Sequence, residues 1–151
     1  MNLLEMYTLT SLMARRMAAR GEGTIINVSS LMGKVAAPTM ATYSATKFAI
    51  LGFTQGLRKE LAPYNIQVVA LLPSLTDTDM LRHLQIFRWV KPVAPQELAK
   101  ALMIGLQRDS LEILVGWQSY LAIWCQRFAP WLLDIILYLA TPPPYRRREY
   151  K

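Results

Sequence analysis

Tyr43 and Lys47 stand four residues apart in Tyr43-Ser44-Ala45-Thr46-Lys47. On a helix, that spacing puts the phenol and the ammonium on one face, one turn apart. Ser30 stands thirteen residues before Tyr43, at the end of the apolar run Thr24-Ile25-Ile26-Asn27-Val28-Ser29. A free phenol titrates near pH ~10, too high for ready proton exchange at neutrality. A neighbouring ammonium favours the phenolate, and a hydroxyl can orient a carbonyl and stabilise its oxygen as charge develops. Together the three groups can move a proton onto or off a carbonyl oxygen. They cannot give or take a hydride, so a redox reaction needs a cofactor.

The chain around them reads as alternating helices and buried strands. Residues 2–20 predict a helix with an apolar face of Leu3, Leu4, Tyr7, Leu12, Met13 and Met17, ended by Gly21-Glu22-Gly23. Residues 24–30 predict a buried parallel strand, and 31–42 a loop containing Gly33 and Pro38. The helix of Tyr43 runs to about Ala62, before Pro63, with Ile50, Phe53, Leu57 and Leu61 as its apolar stripe. Ala45, Ala49, Gly52 and Gly56 form a second stripe, whose glycines weaken the helix and so predict close backbone packing. Residues 66–72 predict a second buried strand, closed by Pro73. Strand, helix and strand make a right-handed βαβ unit. Open parallel sheets bind ligands at the C-terminal ends of their strands, where both Ser30 and the segment 73–80 fall. Residues 77–92 read as irregular, a helix runs from Pro95 to about Arg108, and Leu111–Val115 predicts a third strand.

Composition narrows the function classes. With 53% hydrophobic and 18% charged residues, the 151-residue chain can build one sizeable core. The net charge of +7 carries no basic stripe interleaved with stacking aromatics, which excludes a nucleic-acid surface and leaves an anionic cofactor or a lipid surface as its counterpart. The lone Cys125, in an apolar aromatic segment, reads as a core thiol and suits a reducing, cytoplasmic setting. His83 has no Cys, His or Asp cluster around it, so no metal site is expected. The N-terminus shows no signal-peptide pattern.

Three segments together resemble the short-chain dehydrogenase/reductase family: Gly23-Thr24-Ile25-Ile26-Asn27-Val28-Ser29-Ser30, Tyr43-Ser44-Ala45-Thr46-Lys47 and Pro73-Ser74-Leu75-Thr76-Asp77-Thr78. Tyr-x-x-x-Lys alone is a common accident; the three in this order and spacing, across residues 1–116, are not. The resemblance implies a partial Rossmann-like, doubly wound parallel α/β sheet of about three strands with flanking helices. It implies Tyr43 as general acid/base, Lys47 favouring its phenolate and holding the nicotinamide ribose of NAD or NADP, and Ser30 positioning the carbonyl or alcohol. Asn2 falls where the family places an asparagine that supports a proton-relay water. Thr76 and Thr78 fall where the nicotinamide carboxamide is met. Ser74 replaces the family's glycine after proline. Taken singly, Ser30 could only cap a strand end, Asn2 a helix and Thr78 a turn.

The sequence contains no Gly-x-x-x-Gly-x-Gly, no residue choosing between NAD and NADP, and no Asn-Asn-Ala-Gly. It therefore reads as the C-terminal portion of a longer reductase, from a mis-assigned start, a broken gene or a short isoform. Relatives carry valine before the asparagine, where a GTG start codon would give Met1. In the family's sheet order the strand at 24–30 is expected to show a bare apolar edge. The 151-residue chain by itself is expected to bind NAD(P) weakly or not at all and to turn nothing over; the alternative function is then a catalytically inactive fragment that pairs with other chains.

Residues 117–141 form an apolar helical extension with Trp117, Trp124 and Trp131, and 142–151 a Pro/Arg-rich tail ending Arg146-Arg147-Arg148 and Lys151. The stretch is long enough for a membrane span, but Gln118, Gln126, Arg127, Pro130 and Asp134 interrupt it. Peripheral membrane contact through 117–151 is one expectation, and packing over the substrate pocket or against a partner subunit is the other. The apolar surroundings imply a hydrophobic small-molecule ketone or alcohol. The resemblance implies a homo-oligomer through the helices at 2–20 and 43–62.

Overall fold

The computed structural model describes residues 3–76 and 92–141. Helix α1 (Leu3–Arg20) leads into strand β1 (Gly23–Val28), a single 3-10 turn (Leu31–Gly33) and the long helix α2 (Ala41–Leu61). A second 3-10 turn (Ala62–Tyr64) precedes β2 (Ile66–Leu72), followed by α3 (Pro95–Gln107), β3 (Glu112–Leu114), α4 (Trp117–Phe128) and α5 (Pro130–Ala140). The strands form one parallel sheet in the order β1-β2-β3. Gly23–Val28 run beside Ile66–Leu71, and Ala70–Leu72 beside Glu112–Leu114.

The period of two along β2 explains how it is covered on both faces. Ile66 and Val68 join Ala14, Ile25, Leu57 and Leu61 in a core under α1 and α2. Ala70 and Leu72 continue that face against Leu51 of α2. Val69 and Leu71 point the other way, into a core with Ile113 and the α3 residues Leu98, Leu102 and Leu106. A parallel strand buried on both faces reads as a continuous apolar run, as residues 66–72 do. The result is the doubly wound α/β arrangement that the family resemblance implies. Arg58 of α2 fastens β2 and the approach to β3, donating from Nε to the Val68 carbonyl at 2.8 Å and from Nη2 to the Leu111 carbonyl at 2.6 Å.

Several expectations need correction. Of the face expected on helix α1 (Leu3, Leu4, Tyr7, Leu12, Met13 and Met17), Met17 packs on the core and none is fully buried. The buried residues of α1 are Thr10 and Ala14, while Leu4, Tyr7 and Leu12 stay exposed. Small residues let the helix approach β1 closely. The first strand ends at Val28, not at residue 30, because Ser30 turns to cap the 3-10 turn. Helix α2 begins at Ala41, two residues earlier than Tyr43. Its stripe of Ala45, Ala49, Gly52 and Gly56 is not packed within this chain: a Cβ at Gly52 or Gly56 would meet open space. The apolar stretch from 117 is two helices, broken between Phe128 and Pro130. Among the described residues β1 has a neighbour on one side only, and Val28 is exposed.

Candidate active site

Of the expected site residues, Ser30, Tyr43, Lys47 and Thr76 lie where β1 and β2 end. Beyond Val28 the chain stays beside β2: the Ser29 amide donates to the Leu71 carbonyl at 2.9 Å, and the Leu31 amide to the Pro73 carbonyl at 2.8 Å. Between these two anchors sits Ser30, buried, with extended backbone. Its Oγ accepts the Met32 amide at 3.2 Å, the N-cap bond of the turn. That bond uses the oxygen as acceptor and leaves the hydroxyl hydrogen for a carbonyl oxygen.

Helix α2 brings its first two turns to the same place. Ser29 Oγ donates to the Lys47 carbonyl at 2.8 Å, so the strand end and the helix are directly tied. Gly33 makes this approach possible. A Cβ there would stand 2.7 Å from Ser29 Oγ and 2.8 Å from the Lys47 carbonyl oxygen. Tandem serines followed by a glycine after an apolar strand are the sequence signal for that joint, which the reading of Ser30 alone missed.

Tyr43 and Lys47 meet as the helical spacing predicts. The Lys47 ammonium lies over the Tyr43 ring, 5.5 Å from its centroid, in cation–π geometry. Lys47 Nζ also donates to the Val28 carbonyl at 3.5 Å. Tyr43 is 42% exposed, open to an incoming molecule. Its neighbour Ser44 is buried with no hydrogen-bond partner for its hydroxyl among the described residues. Thr76 lies just past β2, bridged in parallel to Val93, and its Oγ1 donates to the Ser74 carbonyl at 3.2 Å. Asn2 and Thr78 lie outside the described residues. No group of three or more His, Cys, Asp or Glu side chains that could hold a metal occurs among the described residues.

Burial lowers the Lys47 pKa below its ordinary 10.5. The folded state therefore binds its proton less readily than the unfolded state, and stability rises with pH between the folded pKa and 10.5. Lys47→Met removes this burden. Its urea midpoint is expected to equal or exceed that of the parent at pH 7, with the difference shrinking as pH rises toward 10.5. A lower midpoint at pH 7 would mean that the contacts to Val28 and Tyr43 outweigh the cost of burying the charge.

A second polar constellation lies deeper. Thr10 Oγ1 of α1 donates to Asn27 Oδ1 of β1 at 3.2 Å, and Asn27 Nδ2 donates to Thr54 Oγ1 of α2 at 3.0 Å. Thr54 passes the chain on to the Ile50 carbonyl at 2.7 Å. Nothing in the apolar run 24–29 marks Asn27 as the hub of such a network; its single signal is a polar residue at an inward position of a strand.

The fold and sequence have counterparts among known proteins. The short chain dehydrogenase family matches residues 1–88. The 3-oxoacyl-acyl-carrier-protein reductase FabG of Chlamydia trachomatis is 35% identical over 124 residues, covering 76% of this chain and 50% of that protein. A short chain dehydrogenase of Burkholderia cenocepacia, solved in complex with NADP, superposes with a TM-score of 0.68 at 33% identity, over 80% of this chain and 48% of its own. A short-chain dehydrogenase of Sphingobium yanoikuyae in complex with NADPH has a TM-score of 0.68 at 26% identity, over 97% of this chain and 55% of its own. The chain thus spans about half the length of the curated relatives it matches.

Proposed function

The chain belongs to the short-chain dehydrogenase family, and from that premise we propose that it carries the proton-transfer side of an NAD(P)-dependent carbonyl reduction or alcohol oxidation. The observation that carries the reading is the joint of Ser29 and Gly33 against Lys47, beside Ser30, with the ammonium of Lys47 over the ring of Tyr43. Tyr43 exchanges the proton with the substrate oxygen, and Lys47 supplies positive charge beside it. Ser30 donates its hydroxyl hydrogen to the same oxygen. Asn2 supports the proton supply.

The donor set suits the nicotinamide riboside end of a dinucleotide: Tyr43 is open to solvent, Lys47 offers an ammonium, and Thr76 stands at the strand end. When bound, the dinucleotide would supply the hydride in carbonyl reduction and take it up in alcohol oxidation. Lys47 and Tyr43 would hold its ribose, and Thr76 and Thr78 its carboxamide. The 151 residues include no glycine-rich pyrophosphate turn, so tight nucleotide binding calls for further protein. The substrate is a small apolar ketone or alcohol. The exposed small stripe of α2, beside a groove of about 390 Å³ lined by Leu3, Leu4, Tyr7, Ala49 and Phe53, supports self-association through α1 and α2.

The test is loss of NADPH absorbance in the presence of a panel of hydrophobic ketones. The 151-residue chain alone is expected to be inactive. A chimaera that places the nucleotide-binding half of the Burkholderia cenocepacia relative before residue 1 is expected to oxidise NADPH. A folded chimaera that binds NADPH and leaves every ketone and alcohol of the panel untouched overturns the proposal. It would leave the inactive, chain-pairing fragment as the reading.

A further inference from the structure

We propose that the hairpin of α4 and α5 is a contact surface for a second copy of this chain. Its inner face is already used: Cys125, Leu133 and Leu137 pack on Leu31 and Val35 of the segment that follows Ser30. Its outer face holds a second apolar stripe. Trp117, Leu121, Trp124 and Phe128 follow one another along α4 at intervals of four, three and four residues, and all are exposed. That alternation is the seam spacing of helices that pack on other helices. Trp131 and Ile135 repeat the four-residue interval on α5. Trp124 and Phe128 already hold each other, with ring centroids 5.1 Å apart and planes tilted by 45°. Aromatic anchors fixed in this way lose little freedom on binding.

Area and charge select the occupant. Trp117, Trp124, Phe128 and Trp131 are 73%, 60%, 63% and 66% exposed. At ~150–250 Å² for a whole aromatic side chain, these four with Leu121 and Ile135 approach the ~800 Å² that each side of a stable protein interface covers. The hairpin carries two charged side chains of opposite sign, Arg127 in the last turn of α4 and Asp134 in α5, both exposed. No ion pair joins them among the described residues. Their charges cancel, so the hairpin offers an anionic lipid surface no net attraction. No described helix is long and apolar enough to cross a membrane. The same two charges make the face self-complementary. Both stand within two turns of the bend at Ala129, so a two-fold axis beside it can set each Arg127 against the partner's Asp134. The pair then forms twice. A partner of a single charge sign would leave one of the two unmatched.

This inference does not rest on the reductase reading, because the contact needs neither cofactor nor turnover. Sedimentation equilibrium of the purified 151-residue chain, without lipid or detergent, is expected to show reversible self-association. Arg127→Asp and Asp134→Arg, both at exposed positions, are each expected to raise the dissociation constant about tenfold or more with an unchanged circular dichroism spectrum. An equimolar mixture of the two variants is expected to recover the parent's association, because each chain then offers the charge that the other lacks. Trp124→Lys is expected to weaken the association with or without the reversals. Four results would overturn the proposal: a monomeric parent, with lipid as the occupant if that monomer cosediments with phosphatidylcholine vesicles; an association that neither reversal weakens, which would place it on α1 and α2 or on the edge of β1; a mixture that associates no better than its components; or a folded Trp124→Lys chain that associates as the parent does.

Discussion

In the chimaera that supplies a nucleotide-binding half, Tyr43→Phe is expected to lower kcat/KM by about 10²–10⁴-fold, the range for losing a positioned general acid. The substitution deletes one oxygen and keeps the ring. The cation–π contact with Lys47, at 5.5 Å from the centroid, is retained, and so is the packing at the start of α2. Thermal stability is therefore expected to stay close to that of the parent, and NADPH affinity to fall by no more than the one lost ribose contact of the hydroxyl. That separation makes the variant informative: a structural tyrosine would shift stability and leave the rate within a few fold. Ser30→Ala belongs beside it as a contrast. It removes both a hydroxyl toward substrate and the cap bond to the Met32 amide, so it should lower rate and stability together. A Tyr43→Phe rate within a few fold of the parent would remove Tyr43 from the chemistry.

The site was legible in the sequence to the extent that local spacing determines it. A four-residue interval on a helix fixes Tyr43 and Lys47 on one face whatever surrounds them. Parallel strands joined by a crossover helix put residues 30 and 73 at neighbouring ends, as the bond from the Leu31 amide to the Pro73 carbonyl records. What spacing could not supply is which of several available faces wins burial. Helix α1 offers Leu4, Tyr7 and Leu12, yet turns Thr10 and Ala14 inward. Thr10 finds a hydrogen-bond partner in Asn27, and Ala14 permits close approach, so a local excess of apolar residues loses to tertiary fit. The small stripe of α2 misled in the opposite way. Its glycines read as a sign of close packing, but Gly52 and Gly56 face open space in this chain. The Ser29–Gly33–Lys47 joint depends on a contact across eighteen residues, which no window over the sequence displays.

That joint and the buried network have a common purpose. Both fix α2 against β1, at two levels along the helix. Ser29 holds the carbonyl of Lys47, and Asn27 holds Thr54 two turns further on. In its proposed role as general acid, Tyr43 must stand within hydrogen-bond reach of its proton's destination, so small rotations of α2 would misplace it relative to Ser30. Two side chains, Asn27 within β1 and Ser29 just past its end, thus convert an ordinary crossover helix into a positioned one.

Asn27→Ala is the substitution expected to cost the most stability, about 2–4 kcal/mol, from stranded partners plus a cavity. Asn27 is 4% exposed and Thr54 fully buried. Without the amide, Thr10 Oγ1 keeps only the weak acceptor Met6 Sδ at 3.5 Å, and Thr54 Oγ1 loses a donor while keeping its own bond to the Ile50 carbonyl. The change should appear as a lower urea midpoint at an unchanged slope. Adding Thr54→Val removes one stranded hydroxyl, so the double variant should fall short of the summed single losses. Strict additivity, or a loss below ~0.5 kcal/mol for Asn27→Ala, would show that the bonds seen between α1, β1 and α2 contribute no net stability. A positive coupling would bear on the site as well. Because Thr54 and Lys47 share one rigid helix, a loosened Asn27 is expected to lower kcat/KM in the chimaera more than an equally destabilising cavity placed under α3, such as Leu106→Ala.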